Sequence, residues 1–209
     1  MKTHWLPAAD YGEILTRQEK QRAGIIAGLE SECILMVEHQ SCVTLGKRGG
    51  EIMMDRLHKG TTIHQINRGG LATWHGPGQL VLYPIINLRR RKLGVRSFVC
   101  GLEGAALEFL AQHSLSAQRR KNLPGLWLQE KKIASIGLEI KRGITTHGLS
   151  VNISNTLEGF QAIQPCGIAN VSMTSMQEHL LSTPSIKDAG LQLTQIFLTW
   201  LNDNSMSNY

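Results

Sequence analysis

Apolar residues recur at helical spacing in three segments of the chain. Residues 9–29 carry Tyr11, Ile14 and Leu15 on one face, which predicts an amphipathic helix. A stronger pattern runs over Ser97–His113, and residues 184–201 predict a closing helix. The chain therefore has predicted helices near both ends and one in the middle.

Between these helices the pattern changes to short apolar runs that are typical of strands. The predicted strands are 32–38, His64–Asn67, Leu80–Asn87, Gly125–Gln129, Lys132–Ile140 and Gly143–Val151, with the fourth and fifth forming a hairpin. Helices around a mixed sheet rich in antiparallel pairs predict an α+β fold. A chain of 209 residues suits one domain spanning residues 1–209.

Residues 68–79 break both periodicities. They read Arg-Gly-Gly-Leu-Ala-Thr-Trp-His-Gly-Pro-Gly-Gln and directly precede the apolar run at Leu80. Glycine allows positive φ and close approach of the backbone to a ligand, at an entropic cost. We interpret this segment as a rigid turn that carries Arg68 and His75 in the wall of a substrate site, rather than as an ordinary hairpin loop.

Cys166 is the candidate nucleophile because it stands between Pro165 and Gly167, in a predicted turn that would fix the direction of its sulfur. Cys33 and Cys100 lie in apolar periodic runs instead and are predicted to be packed. The alternative is that Cys166 is an incidental loop cysteine. A nucleophilic thiol needs a nearby base or cation to form its thiolate.

Three residues are candidates for that partner. His75 and His147 each precede a glycine, and each either exchanges protons or braces the glycine-rich walls by hydrogen bonds. Lys132 begins a strand of small and apolar residues, and if it points inward its ammonium lowers the pKa of an adjacent thiol. If it points outward, Lys131 and Lys132 form a solvated hairpin tip. The residues alone leave these choices open.

Charge and composition narrow the class of partner. The formal net charge is +6, which favours acidic partners, and basic residues cluster at 89–92 and 119–121. No aromatic residues interleave with these runs, which argues against nucleic acid. The four cysteines contain no CxxC pair, so neither a zinc site nor a disulfide framework is predicted. No signal-like or membrane-spanning stretch is found, so a cytoplasmic protein is expected.

Four blocks, in order, resemble the lipoyl(octanoyl) transferase family. They are Arg-Gly-Gly-x-x-Thr-x-His-Gly-Pro-Gly-Gln-Leu, Lys-Ile-Ala-Ser-Ile-Gly, His-Gly-Leu-Ser-Val-Asn and Pro-Cys-Gly-Ile. The resemblance covers about residues 11–180 and implies the fold of the biotin and lipoate protein ligases. The pair Leu71-Ala72 departs from the family pattern, which bears on the choice of acyl chain length.

The resemblance implies a monomeric cysteine/lysine acyltransferase that needs no cofactor or metal. It would move an octanoyl group from octanoyl-acyl carrier protein to a lysine of lipoyl domains, those of 2-oxoacid dehydrogenases and the glycine cleavage H protein. Cys166 would form the acyl thioester, and Lys132 would lower its pKa. Substrate-binding positions would be Arg68, Gly69, Gly70, Leu71, Ala72, Thr73, Trp74, His75, Ser135, Ile136, Gly137, Gly148, Leu149 and Ser150.

The chemistry fits this reading. Transfer of an acyl group from a thioester to a thiol is nearly isoenergetic and needs no ATP, and no segment of the chain resembles a P-loop. Backbone N–H groups at Cys166–Gly167 or Gly69–Gly70 are candidate donors to the oxyanion. Leu71 and Leu149 are candidates for the apolar acyl slot. Two alternatives remain: an ATP-dependent lipoate or biotin ligase, and a non-catalytic protein that binds an acyl group or a lipoyl domain.

Overall fold

The computed structural model describes residues 1–164 and 171–206, in which the chain forms ten strands and three α-helices. The helices are α1 (Tyr11–Ile26), α2 (Val95–Gln112) and α3 (Ile186–Met206). The strands are β1 (Lys2–Ala9), β2 (Cys33–His39), β3 (Cys42–Leu45), β4 (Thr62–Gln65), β5 (Ala72–His75), β6 (Gln79–Ile85), β7 (Gln118–Arg120), β8 (Leu123–Leu128), β9 (Lys131–Lys141) and β10 (Ile144–Asn152). Short 3-10 turns lie at Met54–Arg56, Glu158–Ala162 and Met176–Glu178.

Seven strands form the main sheet, in the order β1-β2-β6-β10-β9-β8-β7. Strands β1 and β2 pair in parallel, and every other neighbouring pair is antiparallel. The predicted α+β class with a mixed, antiparallel-rich sheet is therefore confirmed. The predicted hairpin is also present, as β8 and β9.

The central strands are buried on both faces, which explains their nearly continuous apolar sequence. In β2, Ile34 and Met36 pack with the core formed under α2 and α3, whereas Leu35 and Val37 pack on the side of α1. Strand β6 alternates in the same way. The sheet is thus a middle layer, with α1 on one face and α2 and α3 on the other.

Helix α1 begins at a capped N-terminus and lies against β10. The side chain of Asp10 accepts a hydrogen bond from the backbone N–H of Glu13, 3.0 Å away, which satisfies one of the free donors of the first turn. About three turns later, in the buried stripe of the helix, Arg22 donates to Glu139 over 2.7 Å and to Thr146 over 3.2 Å. These contacts fix the helix over the strand that carries His147.

A second sheet of three strands, in the order β4-β3-β5, corrects the reading of residues 68–79 as a turn throughout. Residues Ala72–His75 form β5, which pairs antiparallel with β3. The sequence pattern does not predict β1, β3 and β7, because no residue of the first is fully buried and the others span only four and three residues.

None of the helices within residues 1–164 and 171–206 has both the length and the apolar character required to cross a bilayer.

Candidate active site

A cavity of about 470 Å³ opens between the main sheet, the Arg68–Gly70 loop and the start of α2. This volume lies in the range of small-molecule sites, which are commonly ~300–1,000 Å³. Lys132 and all the predicted substrate-binding residues except Trp74 line it. The cationic residues in the lining are Arg48, Arg68 and Lys132, and no carboxylate is found among the lining residues that the structure describes.

The floor of the cavity consists of small residues on adjacent strands. Ser135 pairs with Ser150, and Gly137 pairs with Gly148, across the β9–β10 ladder. Cross-strand partners share a face of the sheet, so these four residues lie side by side. The absence of larger side chains at these positions leaves space on a sheet face that would otherwise be filled.

The Arg68–Gly70 loop covers this floor at close range. The Gly69 N–H donates to the carbonyl of Leu138 over 2.9 Å, and a Cβ at Gly137 would lie 2.9 Å from Cδ of Arg68. The guanidinium of Arg68 is fixed by two hydrogen bonds of 2.8 Å to the carbonyl and hydroxyl of Thr44. Because the Gly69 N–H is already used in this contact, Gly69 is not a free donor to an oxyanion.

Lys132 points into the cavity because β9 contains a bulge. Leu126 pairs with Ala134, but the next residue of β8, Trp127, pairs with Lys132, so Ile133 is an extra residue in β9. Ile133 and Ala134 accordingly both pack in the core under α2 and α3. A bulge re-aims the residues that flank it. Lys132, only 2% exposed, thereby lines the same cavity as Ser135.

A glycine of the neighbouring strand leaves room for the lysine side chain. Gly125 has φ +110°, and a Cβ there would lie 2.8 Å from Cε of Lys132 and 2.2 Å from the carbonyl oxygen of Ala134. The ammonium lies 5.6 Å from the centroid of the Trp127 ring, within the range of a cation–π contact. Lys131, by contrast, is exposed and lies 3.5 Å from Glu178.

His147 also departs from strand geometry. Its φ is +59°, a region that is sterically unfavourable for residues with a Cβ. The Gln18 side chain accepts a hydrogen bond of 2.7 Å from the His147 N–H, and the Tyr11 hydroxyl lies 3.4 Å from Nδ1. Both His147 and Gly148, consecutive residues of β10, line the cavity.

Three histidines in this region are buried and held neutral. Burial lowers the pKa of His75 to about 3, with a further contribution from the neighbouring His39. Burial also lowers the pKa of His39 to about 4, and burial together with Arg68 lowers that of His147 to about 4. Neutral, hydrogen-bonded rings suit the bracing role for His75 and His147 better than exchange of protons at neutral pH.

Trp74 lies behind the cavity wall rather than in it. Its indole N–H donates to the hydroxyl of Ser41 over 3.0 Å, and its ring packs edge-on to Phe160. A Cβ at either Gly76 or Gly159 would lie 2.2 Å from its ring atoms, so two glycines make room for the indole. Thr73 and His75 line the cavity, and alternation along β5 turns Trp74 the other way.

Cys166 lies outside the described residues, as does Gly167. Of the other cysteines, Cys33 and Cys42 are buried, and burial raises their pKa values to about 11 and about 12. Cys100 is exposed, which corrects the prediction that it is packed. The apolar pattern around Cys100 belongs to the buried face of α2, and Cys100 lies on the opposite face.

Other lining residues carry no signal in the sequence. They come from the start of α1, from β6, from the loop after β3, from the first two turns of α2, from the β7–β8 turn and the start of β8, and from the second half of β9. They are Tyr11, Tyr83, Val81, Arg48, Val95, Val99, Asn122, Leu123, Pro124, Leu138 and Ile140. Only the tertiary fold brings these elements to one place.

Comparison with known proteins agrees with this architecture. A family model described as the lipoyl protein ligase A/B catalytic domain matches residues 10–198. An octanoyltransferase from Chromohalobacter salexigens is 40% identical over 161 residues, which are 77% of this chain and 72% of that protein.

Two solved structures share the fold. One is a putative lipoate protein ligase from T. acidophilum with bound lipoic acid, with a TM-score of 0.71 and 16% identity, covering 96% of this chain and 86% of that one. The other is the biotin protein ligase from Aquifex aeolicus, with a TM-score of 0.58 and 12% identity, covering 99% and 72%. The predicted kinship of fold with lipoate and biotin ligases is thereby confirmed.

Proposed function

Because the chain belongs to the family of the lipoyl protein ligase A/B catalytic domain, we propose that it is an octanoyltransferase of lipoate biosynthesis. Its donor is octanoyl-acyl carrier protein, and its acceptor is a lysine of a lipoyl domain. The observation that carries the proposal is the buried Lys132 in a largely apolar cavity. The segment that follows Cys166 in the sequence supports it, since Ser172 accepts a hydrogen bond of 2.9 Å from the Lys132 N–H.

The first step of the reaction transfers the acyl group to the enzyme. The Cys166 thiolate attacks the carbonyl carbon of the carrier thioester and a C–S bond forms. The carrier's sulfur leaves as a thiol with the proton of the Lys132 ammonium, which leaves Lys132 neutral for the second step. The ammonium of Lys132 favours the thiolate form of Cys166 electrostatically before the attack. Leu71, Leu149 and the small-residue floor accommodate the eight-carbon chain.

The second step transfers the acyl group to the acceptor. The acceptor's ε-amine attacks the enzyme thioester, an amide forms, and the Cys166 thiolate leaves. The attacking amine must lose a proton, and Lys132 in its neutral form accepts that proton. The reaction uses no ATP, and we place it in the cytoplasm, carried out by a monomer that spans residues 1–209.

Intact-protein mass spectrometry tests the covalent step. Wild type mixed with octanoyl-acyl carrier protein should gain one octanoyl group that hydroxylamine removes, and Cys166→Ala should gain none. An adduct that persists in Cys166→Ala would overturn the nucleophile. Turnover that requires ATP and free octanoate would establish the ligase alternative, and an intact donor with no adduct would favour a binding protein.

The neighbouring residues Lys131 and Lys132 provide a matched pair of variants that tests whether Lys132 activates the Cys166 thiol. Lys132→Ala should leave a folded protein whose Cys166 reacts slowly with iodoacetamide at pH 7, whereas the exposed Lys131→Ala should react as wild type does. Both belong in a Cys100→Ser background, since Cys100 is exposed and would also react. If Lys132→Ala is alkylated as fast as wild type, Lys132 does not lower the pKa of the Cys166 thiol.

A further inference from the structure

A buried chain of hydrogen bonds runs from the cavity wall to the main chain beside Lys132. His75 Nδ1 lies 2.6 Å from Oε1 of Gln79, and Nε2 of Gln79 donates to Oδ1 of Asn152 over 2.9 Å. Asn152 then donates from Nδ2 to the carbonyl of Thr174 over 2.8 Å. All four residues are buried. An amide side chain donates from its nitrogen and accepts on its oxygen, so His75 must donate from Nδ1 to Gln79. Every hydrogen bond of the series therefore points from His75 towards Thr174.

The series of hydrogen bonds ends at residues 172–174, a segment outside the named strands that pairs with Lys132 at the edge of the main sheet. Val151 pairs with Ala134, so a regular β10 would place Ile153 opposite Lys132. Instead Met173 forms the bridge to Lys132, with hydrogen bonds from the Lys132 N–H to Ser172 and from the Thr174 N–H to Lys132 of 2.9 and 3.0 Å. Residues 172–174 thus occupy the place that β10 leaves.

Asn152, the last residue of β10, lies where the pairing partner of β9 changes from β10 to residues 172–174. Its side chain accepts from the start of β6 and donates to the carbonyl of Thr174, so it joins the end of one strand to the segment that replaces it. Its amide is 2% exposed, and a lost partner there is not replaced by bulk water.

We propose that Asn152 is a positioning residue, which together with Gln79 holds residues 172–174 against Lys132. The proposal rests on the proposed function, because Cys166 precedes Ser172 by six positions and the thiol must meet the ammonium for the transfer to proceed. Asn152 acts through this segment and does not line the cavity. Its effect therefore falls on the reaction rate and on the reactivity of the thiol, and not on acyl binding.

Two substitutions separate the acceptor and donor roles of the amide. Asn152→Ala removes the hydrogen bonds with Gln79 and Thr174, together with a longer one of 3.4 Å from Nδ2 of Asn155. Asn152→Asp keeps the shape and the acceptor for Gln79 but replaces the donor to Thr174 with an oxygen. We expect each variant to lower kcat at least tenfold, with KM for the acyl donor within threefold of wild type.

The matched control is Glu32→Ala, which removes a partly buried acceptor that does not line the cavity. Glu32 accepts from the Asn87 N–H over 2.8 Å and pairs with Arg91. This variant should lower the thermal midpoint, as the Asn152 variants do, with kcat unchanged.

The decisive readout is the pH profile of Cys166 alkylation, measured on folded protein in the Cys100→Ser background. In both Asn152 variants the midpoint should move to higher pH, and in Glu32→Ala it should stay at the wild-type value. Wild-type kcat and midpoint in Asn152→Asp would overturn the proposal. If the Asn152 variants do not fold, Gln79→Glu replaces them, because glutamate accepts from His75 but does not donate to Asn152, and the same outcomes decide.

The positioning role of Asn152 and the proposed function can be refuted independently of each other. Acylation of Cys166→Ala would refute the nucleophile whatever Asn152 does. Conversely, a thiol-dependent wild type whose rate ignores Asn152 would refute only the positioning role.

Discussion

His147 and Lys132 reach the cavity through two local irregularities of otherwise regular strands. His147 has a left-handed backbone, and Lys132 directly precedes the bulge at Ile133. A left-handed conformation costs a residue with a Cβ roughly 1–2 kcal/mol. Such a cost at the wall of a cavity is typical of a site where side-chain direction matters more than stability.

At position 147 we therefore expect glycine to be less destabilising than alanine, the reverse of the usual order within a strand. His147→Gly relieves the strain of φ +59°, whereas His147→Ala keeps a Cβ and loses the ring contacts. We expect the glycine variant to be more stable than the alanine variant by about 1 kcal/mol in urea unfolding. Both should bind the acyl donor more weakly than wild type. An alanine variant as stable as the glycine variant would show that no strain is present.

At the scale of single elements, the N-terminus of α1 both caps the helix and contributes to the cavity, because Asp10 is the N-cap residue and Tyr11 follows it. The residue after the cap, Tyr11, lines the cavity, so the start of the helix is also part of the site. Stability of the first turn should then affect both the fold and the cavity wall.

Asp10→Ala should lower the free energy of unfolding by about 1 kcal/mol, because the Glu13 N–H loses its acceptor. Asp10→Ser, which supplies another capping oxygen, should recover most of that loss. Chemical denaturation of the two variants checks this expectation. Equal losses in both would mean that the charge of Asp10, and not its hydrogen bond, stabilises the helix.

The elements themselves were largely predictable from sequence, and the directions of key side chains were not. The runs in β2 and β6 are buried on both faces, so apolar residues mark them clearly. Regular alternation from Ser135 would place Lys132 on the opposite face of the sheet, and the bulge that reverses this leaves no mark in the sequence. Trp74 was assigned to the site because its neighbours in the glycine-rich string belong there, although β5 turns it away.

Within the whole molecule, three neutral histidines pack together with Tyr11 and Tyr83. The rings of His39 and His75 are 5.8 Å apart, so protonation of one disfavours protonation of the other. Their folded pKa values of about 3 to 4 lie below the unfolded value of about 6.5. The unfolded chain therefore binds more protons between these limits, and stability falls as pH decreases through this window.

We expect the free energy of unfolding to drop by as much as about 6 kcal/mol between pH 7.5 and pH 5, since each histidine contributes up to ~1.4 kcal/mol per pH unit below its unfolded pKa. His39→Gln, outside the cavity lining, should reduce the drop by about a third. Urea midpoints at several pH values provide the measurement. A midpoint that is constant over this range would contradict the neutral histidines.

The charge distribution suggests where the acidic carrier docks in the proposed reaction. Arg96 and Lys121 are exposed, and each is the chain neighbour of a cavity-lining residue, Val95 or Asn122. Much of the second basic run is already paired, Arg119 with Glu103 and Arg120 with Glu130.

Arg96→Glu combined with Lys121→Glu should raise KM for the carrier-bound donor at least fivefold, because charge complementarity steers association. KM for octanoyl-pantetheine, which has no carrier protein, should stay within twofold. Lys20→Glu combined with Lys187→Glu, two exposed lysines outside the cavity lining, serves as the control of equal charge change. A parallel rise with both donors would place these residues in the acyl site instead of the docking surface.

The hydrogen bond from His147 to Gln18 joins positions 129 residues apart in the chain. Contacts of such long sequence separation form late, because the intervening chain must first be ordered. A nascent chain thus has no cavity until β10 has been synthesised and has reached α1. A chain whose synthesis stops before β10 therefore lacks His147 and the part of the cavity wall that it forms.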